Sequence, residues 1–320
     1  MRAIATSTPG DLHALGPMDV PTPAPGPGQV RVTVHASSVN PADSKIVHWT
    51  SQARFLHARV SPLIPGYDLA GVVDAVGAGV ADLAVGDRVF GHLPFSGKSK
   101  AGAWAEQAVI AASELGRLPA DVDFSPAGAI PTVGLTALQG LRDAGGLKPG
   151  GRVLLFGAAG GVGALAIGIA KRLGAHVTAV CSTYAVDFVR DLGADVVVDR
   201  ATADPLAHDT PFDVILDASG AYSYGQCVPI LSKSGSFVTT LPSLAFATGK
   251  LRSLFSGRTC TFVVVKSRRA DLDLLGAWLA DGLVVPVDER YAIRNAPAAI
   301  ARIDGGGLLG KIALDVAGAW

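Results

Sequence analysis

Between the apolar strand Arg152–Phe156 (RVLLF) and a helix around Val162–Leu173 the chain places the run Gly157-Ala158-Ala159-Gly160-Gly161-Val162-Gly163. A chain with 39 glycines offers many such runs, and it is the strand–loop–helix frame that gives this one meaning. Gly160 and Gly161 let the backbone come close to a pyrophosphate. Gly163 lets the helix pack close to the strand, and helix-terminal N–H groups near Val162 face the phosphates. Gly157 and Ala158 open the loop. The run therefore predicts a dinucleotide site, with a purely structural turn as the alternative.

The surrounding pattern fits. Arg152–Phe156, His176–Val180, Val196–Asp199, Phe212–Ala218, Ser236–Thr240 and Thr261–Val265 are short apolar strands. The helical stretches between them make a doubly wound parallel sheet. Ser125–Gly140 has helical spacing interrupted at Pro131. Residues 1–122 look different, with an alternating strand at Val30–Val34, further strands at Gly71–Val76 and Arg88–Phe90, and a Pro-rich connector at Val20–Pro27. After a helix at Asp271–Leu279 the closing strands resume this β-rich character. The expected organisation is an α/β chain in two domains, with a β-rich domain from 1–122 completed by 266–320 and a nucleotide domain at 123–265. A cleft between two domains is where a small ligand is expected.

The end of the second strand of the nucleotide domain discriminates between cofactors. A carboxylate there would bind the ribose 2′-OH and repel a 2′-phosphate. This chain has Cys181-Ser182-Thr183-Tyr184, with Arg200 after the third strand. Ser182 and Thr183 can donate to a phosphate, Tyr184 can cover the adenine, and Arg200 is the nearest cation, so NADPH is expected. The same hydroxyls also suit a helix N-cap.

Composition narrows the partners. Lys+Arg and Asp+Glu number 27 each, leaving no field for nucleic acid or anionic lipid. No apolar run reaches the roughly 18 residues of a membrane span. The N-terminus lacks the pattern of a signal peptide, and three scattered cysteines make no disulfide framework, so a cytoplasmic protein is expected.

Several segments together resemble the medium-chain dehydrogenase/reductase superfamily, in particular its zinc-free, zeta-crystallin-like quinone oxidoreductase branch. They are VNPAD (39–43), PGYDLAGVV (65–73), VGDRV (85–89), GAWAE (102–106), VGLTA (133–137), the glycine loop and GKIAL (310–314). The resemblance implies a GroES-like β-rich catalytic domain and a Rossmann domain. Zinc relatives carry a Cys where Asn40 or Pro41 stands and a His-Glu pair where this chain has Tyr67-Asp68. Nothing pairs His48, His57 and His92 at ligand spacing. No metal is expected, which disfavours oxidation of simple alcohols and favours acceptors that take hydride readily, quinones or activated enones.

By the same resemblance Asn40 lies near the nicotinamide ribose or the substrate, or else is a turn residue before Pro41. Thr136 contacts the carboxamide or bonds back along its helix. Leu241, Phe262 and Val264 line the nicotinamide pocket or simply fill the core. Lys311 reaches the cofactor phosphates or sits in solvent beside a turn. For the proton donor, Tyr67, Asp43 and Lys45 are candidates, with Tyr67 alternatively a half-buried structural tyrosine. The apolar last strand, an open edge in a monomer, predicts a homodimer formed by pairing that strand with its copy. Two other functions remain open: an enoyl reductase of a polyketide-like pathway, and a catalytically silent NADPH-binding sensor.

Overall fold

A computed structural model describes residues 1–241 and 243–320. The chain divides into two compact units, Met1–Thr132 with Lys266–Trp320, and Val133–Val265. Its strands are, in order, β1 (Arg2–Ala5), β2 (Gly16–Asp19), β3 (Gln29–Val39), β4 (Asp68–Val76), β5 (Arg88–His92), β6 (Gln107–Ala111) and β7 (Leu115–Arg117) in the first unit. The second unit holds β8 (Arg152–Phe156), β9 (His176–Cys181), β10 (Val196–Asp199), β11 (Phe212–Asp217), β12 (Leu231–Thr239) and β13 (Thr259–Phe262). The chain then returns to the first unit with β14 (Val287–Ala292) and β15 (Lys311–Asp315).

The first unit is built on β3. Its leading half alternates, with Val30, Val32 and Val34 buried, and pairs antiparallel with β4 and β6. Its trailing half is buried throughout and pairs antiparallel with β15, Ile312 opposite Val39. The change of pattern has a local cause. The helix Phe124–Ala129 packs on β3, β4 and β15, and Gly128 stands so close to Ala36 that a Cβ would come within 2.8 Å of the Ala36 carbonyl carbon. This helix explains why the first unit runs to Thr132 rather than stopping at 122. Pro131 then opens a second helix, Pro131–Leu138, where its missing N–H is harmless.

The second unit is a six-stranded sheet in the order β10-β9-β8-β11-β12-β13, with every neighbouring pair parallel. This is the doubly wound order, in which the order of strand addition reverses beside the first strand, β8. The last strand runs Thr259–Phe262, starting two residues before the expected Thr261–Val265 and ending three residues sooner. Its partner β12 ends at Thr239, whose carbonyl takes the N–H of Val263, and past that point there is no ladder left to join. Among the described residues no helix is long and apolar enough to cross a membrane.

Candidate active site

In the second unit the glycine loop forms as the spacing requires. Gly157 has φ +72°, and Ala158 is buried with its N–H on the Val180 carbonyl at 3.1 Å, which ties the loop to β9. The helix Gly161–Arg172 starts from Gly160, so its first N–H groups, those around Val162, lack intrahelical partners and point out of the turn. A Cβ on Gly163 would stand 2.2 Å from the Gly157 carbonyl oxygen, so nothing larger than glycine fits where helix and loop touch. At Gly160 a Cβ would meet only the Gly157 oxygen at 3.7 Å. That position is open space beside the backbone, as an approaching phosphate needs.

Parallel strands bring their C-terminal ends to one edge, and the discriminating residues gather there. Cys181 of β9 lies opposite Asp199 of β10. The next residues, Ser182 and Arg200, are joined by a bond from the Arg200 Nε to the Ser182 Oγ at 3.1 Å. Thr183 begins a single 3-10 turn, and Tyr184 is 62 % exposed beside them. Phe262 closes β13, Leu241 and Val264 lie just past the ends of β12 and β13, and all three are exposed. Thr136 is buried on its helix.

Asp217, which the sequence reading passed over, organises the edge from below. Fully buried at the end of β11, it accepts from the N–H groups of Ser219, Gly220 and Tyr222 and from the Ser219 hydroxyl. One carboxylate thus shapes the whole turn, and that turn lies against the loop, since a Cβ on Gly157 would be 3.1 Å from Ser219.

The first unit holds a second constellation, a buried polar cluster where β3 ends, β4 begins and β15 begins. Its hub is Asp68, also absent from the sequence expectations. The Oδ1 of Asp68 accepts from the Thr132 N–H and hydroxyl, both at 2.7 Å, and Oδ2 accepts from the Ser38 hydroxyl at 2.6 Å and the Asn40 Nδ2 at 2.8 Å. The Asn40 Oδ1 in turn accepts from the Lys311 Nζ at 2.6 Å, and the same ammonium reaches the Val39 carbonyl at 3.0 Å. Asp43 takes the N–H groups of Asn40 and Gly66 on its two oxygens. Burial pushes the Asp43 carboxyl up to about 7, helped by the negative Asp68 and opposed by these N–H bonds and Lys311. Burial also lowers the Lys311 ammonium, against the pull of both carboxylates.

Three expectations change here. Lys311 does not stand in solvent. Its strand pairs with the end of β3, which aims the side chain inward to Asn40, and it is only 4 % exposed. Tyr67 follows its structural alternative: it is buried and its hydroxyl donates to the Leu56 carbonyl at 2.7 Å, which engages the proton. Burial, followed by the Asp43 charge, drives its phenol well above the usual range. Asp43 is fully enclosed and serves backbone N–H groups, which makes it a brace for the turn. Lys45, which shares the short helix Pro41–Val47 with Asp43, is half-buried. Asp68 did leave a trace in the sequence, as a lone carboxylate at the head of the apolar segment Leu69–Val73.

His48 pairs with Asp304 at the surface, whereas His57 and His92 are buried. The Ser267 hydroxyl donates to the His92 carbonyl, so it accepts from the His92 Nδ1–H and leaves Nε2 as a bare lone pair. Burial lowers this imidazole to about 4, keeping it neutral.

Comparison with known proteins supplies the family. Residues 26–120 match the alcohol dehydrogenase GroES-like domain, and 192–314 match the zinc-binding dehydrogenase family. A chloroplast envelope quinone oxidoreductase homolog of Arabidopsis thaliana is 31 % identical over 318 residues, covering 96 % of this chain and 95 % of the relative. A trans-enoyl reductase of Aspergillus terreus is 32 % identical, covering 92 % and 88 %. The quinone oxidoreductase of Coxiella burnetii superposes with a TM-score of 0.88 at 28 % identity over 99 % of both chains.

The second family description implies zinc, and the residues present do not suit it. Among the described residues no three His, Cys, Asp or Glu side chains group as ligands. Asp68 already accepts four hydrogen bonds, and the Lys311 ammonium 3.8 Å from it would repel a second cation. A glycine loop at the head of a parallel sheet, a GroES-like unit around it in sequence, and relatives matching nearly end to end lead to one conclusion: this chain belongs to the medium-chain dehydrogenase/reductase superfamily of oxidoreductases, among its quinone oxidoreductase-like members.

Proposed function

We propose that the protein is a zinc-independent reductase that uses NADPH to reduce a quinone or an activated enone. The observation that carries the reading is the Arg200–Ser182 pair at the ends of β9 and β10, where an NAD-specific chain would put a carboxylate. A guanidinium and hydroxyls suit a 2′-phosphate, and Tyr184 is free to cover an adenine. NADPH, when bound, supplies the hydride. The chain's own residues hold its pyrophosphate on the helix after Gly160, leave no room for a Lewis acid beside Asp68, and offer no placed proton donor in Tyr67. An acceptor reduced under these conditions must already be electron-poor and draw its proton from water.

The relatives named for quinone and trans-enoyl reduction favour the same acceptor chemistry, and a biosynthetic enoyl reductase is the second reading. It is disfavoured by the engagement of Tyr67. The test is oxidation of NADPH and NADH by chelator-treated protein with phenanthrenequinone, naphthoquinone, enones and enoyl thioesters. Turnover of quinones or simple enones with NADPH preferred supports the proposal. Activity confined to enoyl thioesters supports the second reading, and tight NADPH binding without turnover moves the protein to a sensing role. Activity lost on chelation and restored by zinc refutes zinc independence.

We further propose a homodimer through β13. That strand is an edge of its sheet, and the helix Leu244–Ser253 beside it, with the turn that follows, leaves Leu244 (89 %), Leu251, Leu254 and Phe255 (86 %) exposed. Apolar exposure of this density beside an open edge is suited to pairing with a second copy.

A further inference from the structure

We propose that Lys311 is a positioning residue which, together with Asp68, sets the orientation of the Asn40 carboxamide. This rests on the reductase reading above and on the placement that the family resemblance implies for Asn40, near the nicotinamide ribose or the substrate.

A carboxamide can sit in two orientations of nearly identical shape, with oxygen and nitrogen exchanged. Here the choice is forced. Lys311 is donor-only, and its ammonium lies 2.6 Å from one end of the amide, which must therefore be Oδ1. Asp68 as a carboxylate is acceptor-only, and it lies 2.8 Å from the other end, which must be Nδ2. The second Nδ2 hydrogen has only the Ser38 Oγ at 3.5 Å, a distance at the limit of a bond, and stays free for a stronger acceptor.

A purely structural ion pair would look different. The closest partner of the ammonium is the amide oxygen, and the carboxylate is farther away at 3.8 Å. Asp68 has four donors without the lysine. Enclosing an ammonium is unfavourable, and replacing a buried ion pair by neutral groups of similar size is often neutral or stabilising. A lysine whose burial adds little stability is explained by what it does to Asn40.

The experiment compares wild type, Lys311→Met, the neutral pair Lys311→Met/Asp68→Asn, and each in an Asn40→Ala background. The neutral pair guards against misfolding, since it removes the Lys311 and Asp68 charges together, and measurement at about pH 6, below the Asp43 value of about 7, keeps that neighbouring carboxyl protonated. In it the new amide offers Asn40 a donor where it had an acceptor. Expected are an unchanged thermal midpoint for the neutral pair, an NADPH Kd within about twofold of wild type, and a kcat lower by about 10- to 100-fold, the cost of a misplaced group. In the Asn40→Ala background the lysine substitution should have no further effect. A rise in NADPH Kd with kcat intact would return Lys311 to a phosphate role and overturn the proposal. So would an equal kcat loss with and without Asn40, or full activity of the neutral pair. Should wild type turn over no acceptor in the panel, the reaction assigned above fails, and the positioning claim is still read directly. The Asn40 side-chain NH2 resonances, assigned by their absence in Asn40→Ala, should show slow hydrogen exchange in wild type and lose it in the neutral pair. Unchanged resonances and exchange would overturn it.

Discussion

A Cβ on Gly163 would stand 2.2 Å from the carbonyl oxygen of Gly157, with the Ala158 Cα only slightly farther away at 2.7 Å. Two glycines six positions apart thus set how closely the helix after the loop meets the strand before it. Because the obstacle is backbone, Gly163→Ala cannot be relieved by a side-chain rotation. We expect it to lower stability by about 1–3 kcal/mol, the range for overpacking, and to raise the NADPH Kd at least about tenfold. Denaturant melts and fluorescence titration measure both, and wild-type binding would show that the loop tolerates a displaced helix.

Arg200→Gln removes the cation beside Ser182 and keeps a donor. A charge-assisted bond contributes about 1.5–3 kcal/mol, so the KM for NADPH should rise by roughly 10- to 100-fold while that for NADH barely moves. Equal changes for the two cofactors would remove Arg200 from the 2′-phosphate site.

Tyr67→Phe should leave the catalytic rate with quinones within about twofold, because the hydroxyl is spent on the Leu56 carbonyl. Its cost is one buried hydrogen bond, about 0.5–1.5 kcal/mol of stability plus the stranded carbonyl. A large loss of kcat with the fold intact would restore the tyrosine as a donor.

Stability should carry a signature of Asp43. The folded carboxyl is raised from 3.8 to about 7, chiefly by burial, beside Asp68 and Lys311. Below about pH 4 both states hold the proton. Between that and pH 7 the unfolded chain has released it and the folded chain has not, so this contribution declines as pH rises and is gone above the folded value. The stability advantage of wild type over Asp43→Asn should therefore shrink from pH 4 to pH 7 and level off beyond. His92, lowered to about 4, contributes the opposite slope to both proteins and cancels in the difference. Urea titrations across this range test it, and an advantage that grows with pH contradicts the assignment.

Light scattering should find a dimer at micromolar concentration, and Phe255→Asp combined with Leu254→Asp should yield a folded monomer. Both residues are exposed in the isolated chain, so the double substitution costs the fold little. An unaltered dimer would place the interface elsewhere.

Periodicity and glycine placement were enough for the second unit. Arg152–Phe156 and Val196–Asp199 form as strands at the residues the pattern marks, and the loop between β8 and its helix closes on Gly157 and Gly163. These features are local, because a parallel strand reads as a continuous apolar run and a phosphate loop needs glycine at fixed offsets in one stretch of chain. The absence of a carboxylate after β9 was equally legible in Cys181–Tyr184. Tertiary structure alone decided the polar cluster. Asn40, Asp68, Thr132 and Lys311 meet because β3 pairs with both β4 and β15, contacts that span up to 271 positions. No spacing rule links such residues. A lysine beside a glycine turn reads as solvated or as a phosphate ligand, and a tyrosine at a lost ligand position as a donor or a structural residue, until strand pairing turns one inward to an amide and the fold hands the other a backbone carbonyl. Local sequence chose the elements and the nucleotide loop. Long-range pairing chose which buried charges face each other, and with them the chemistry left to the site.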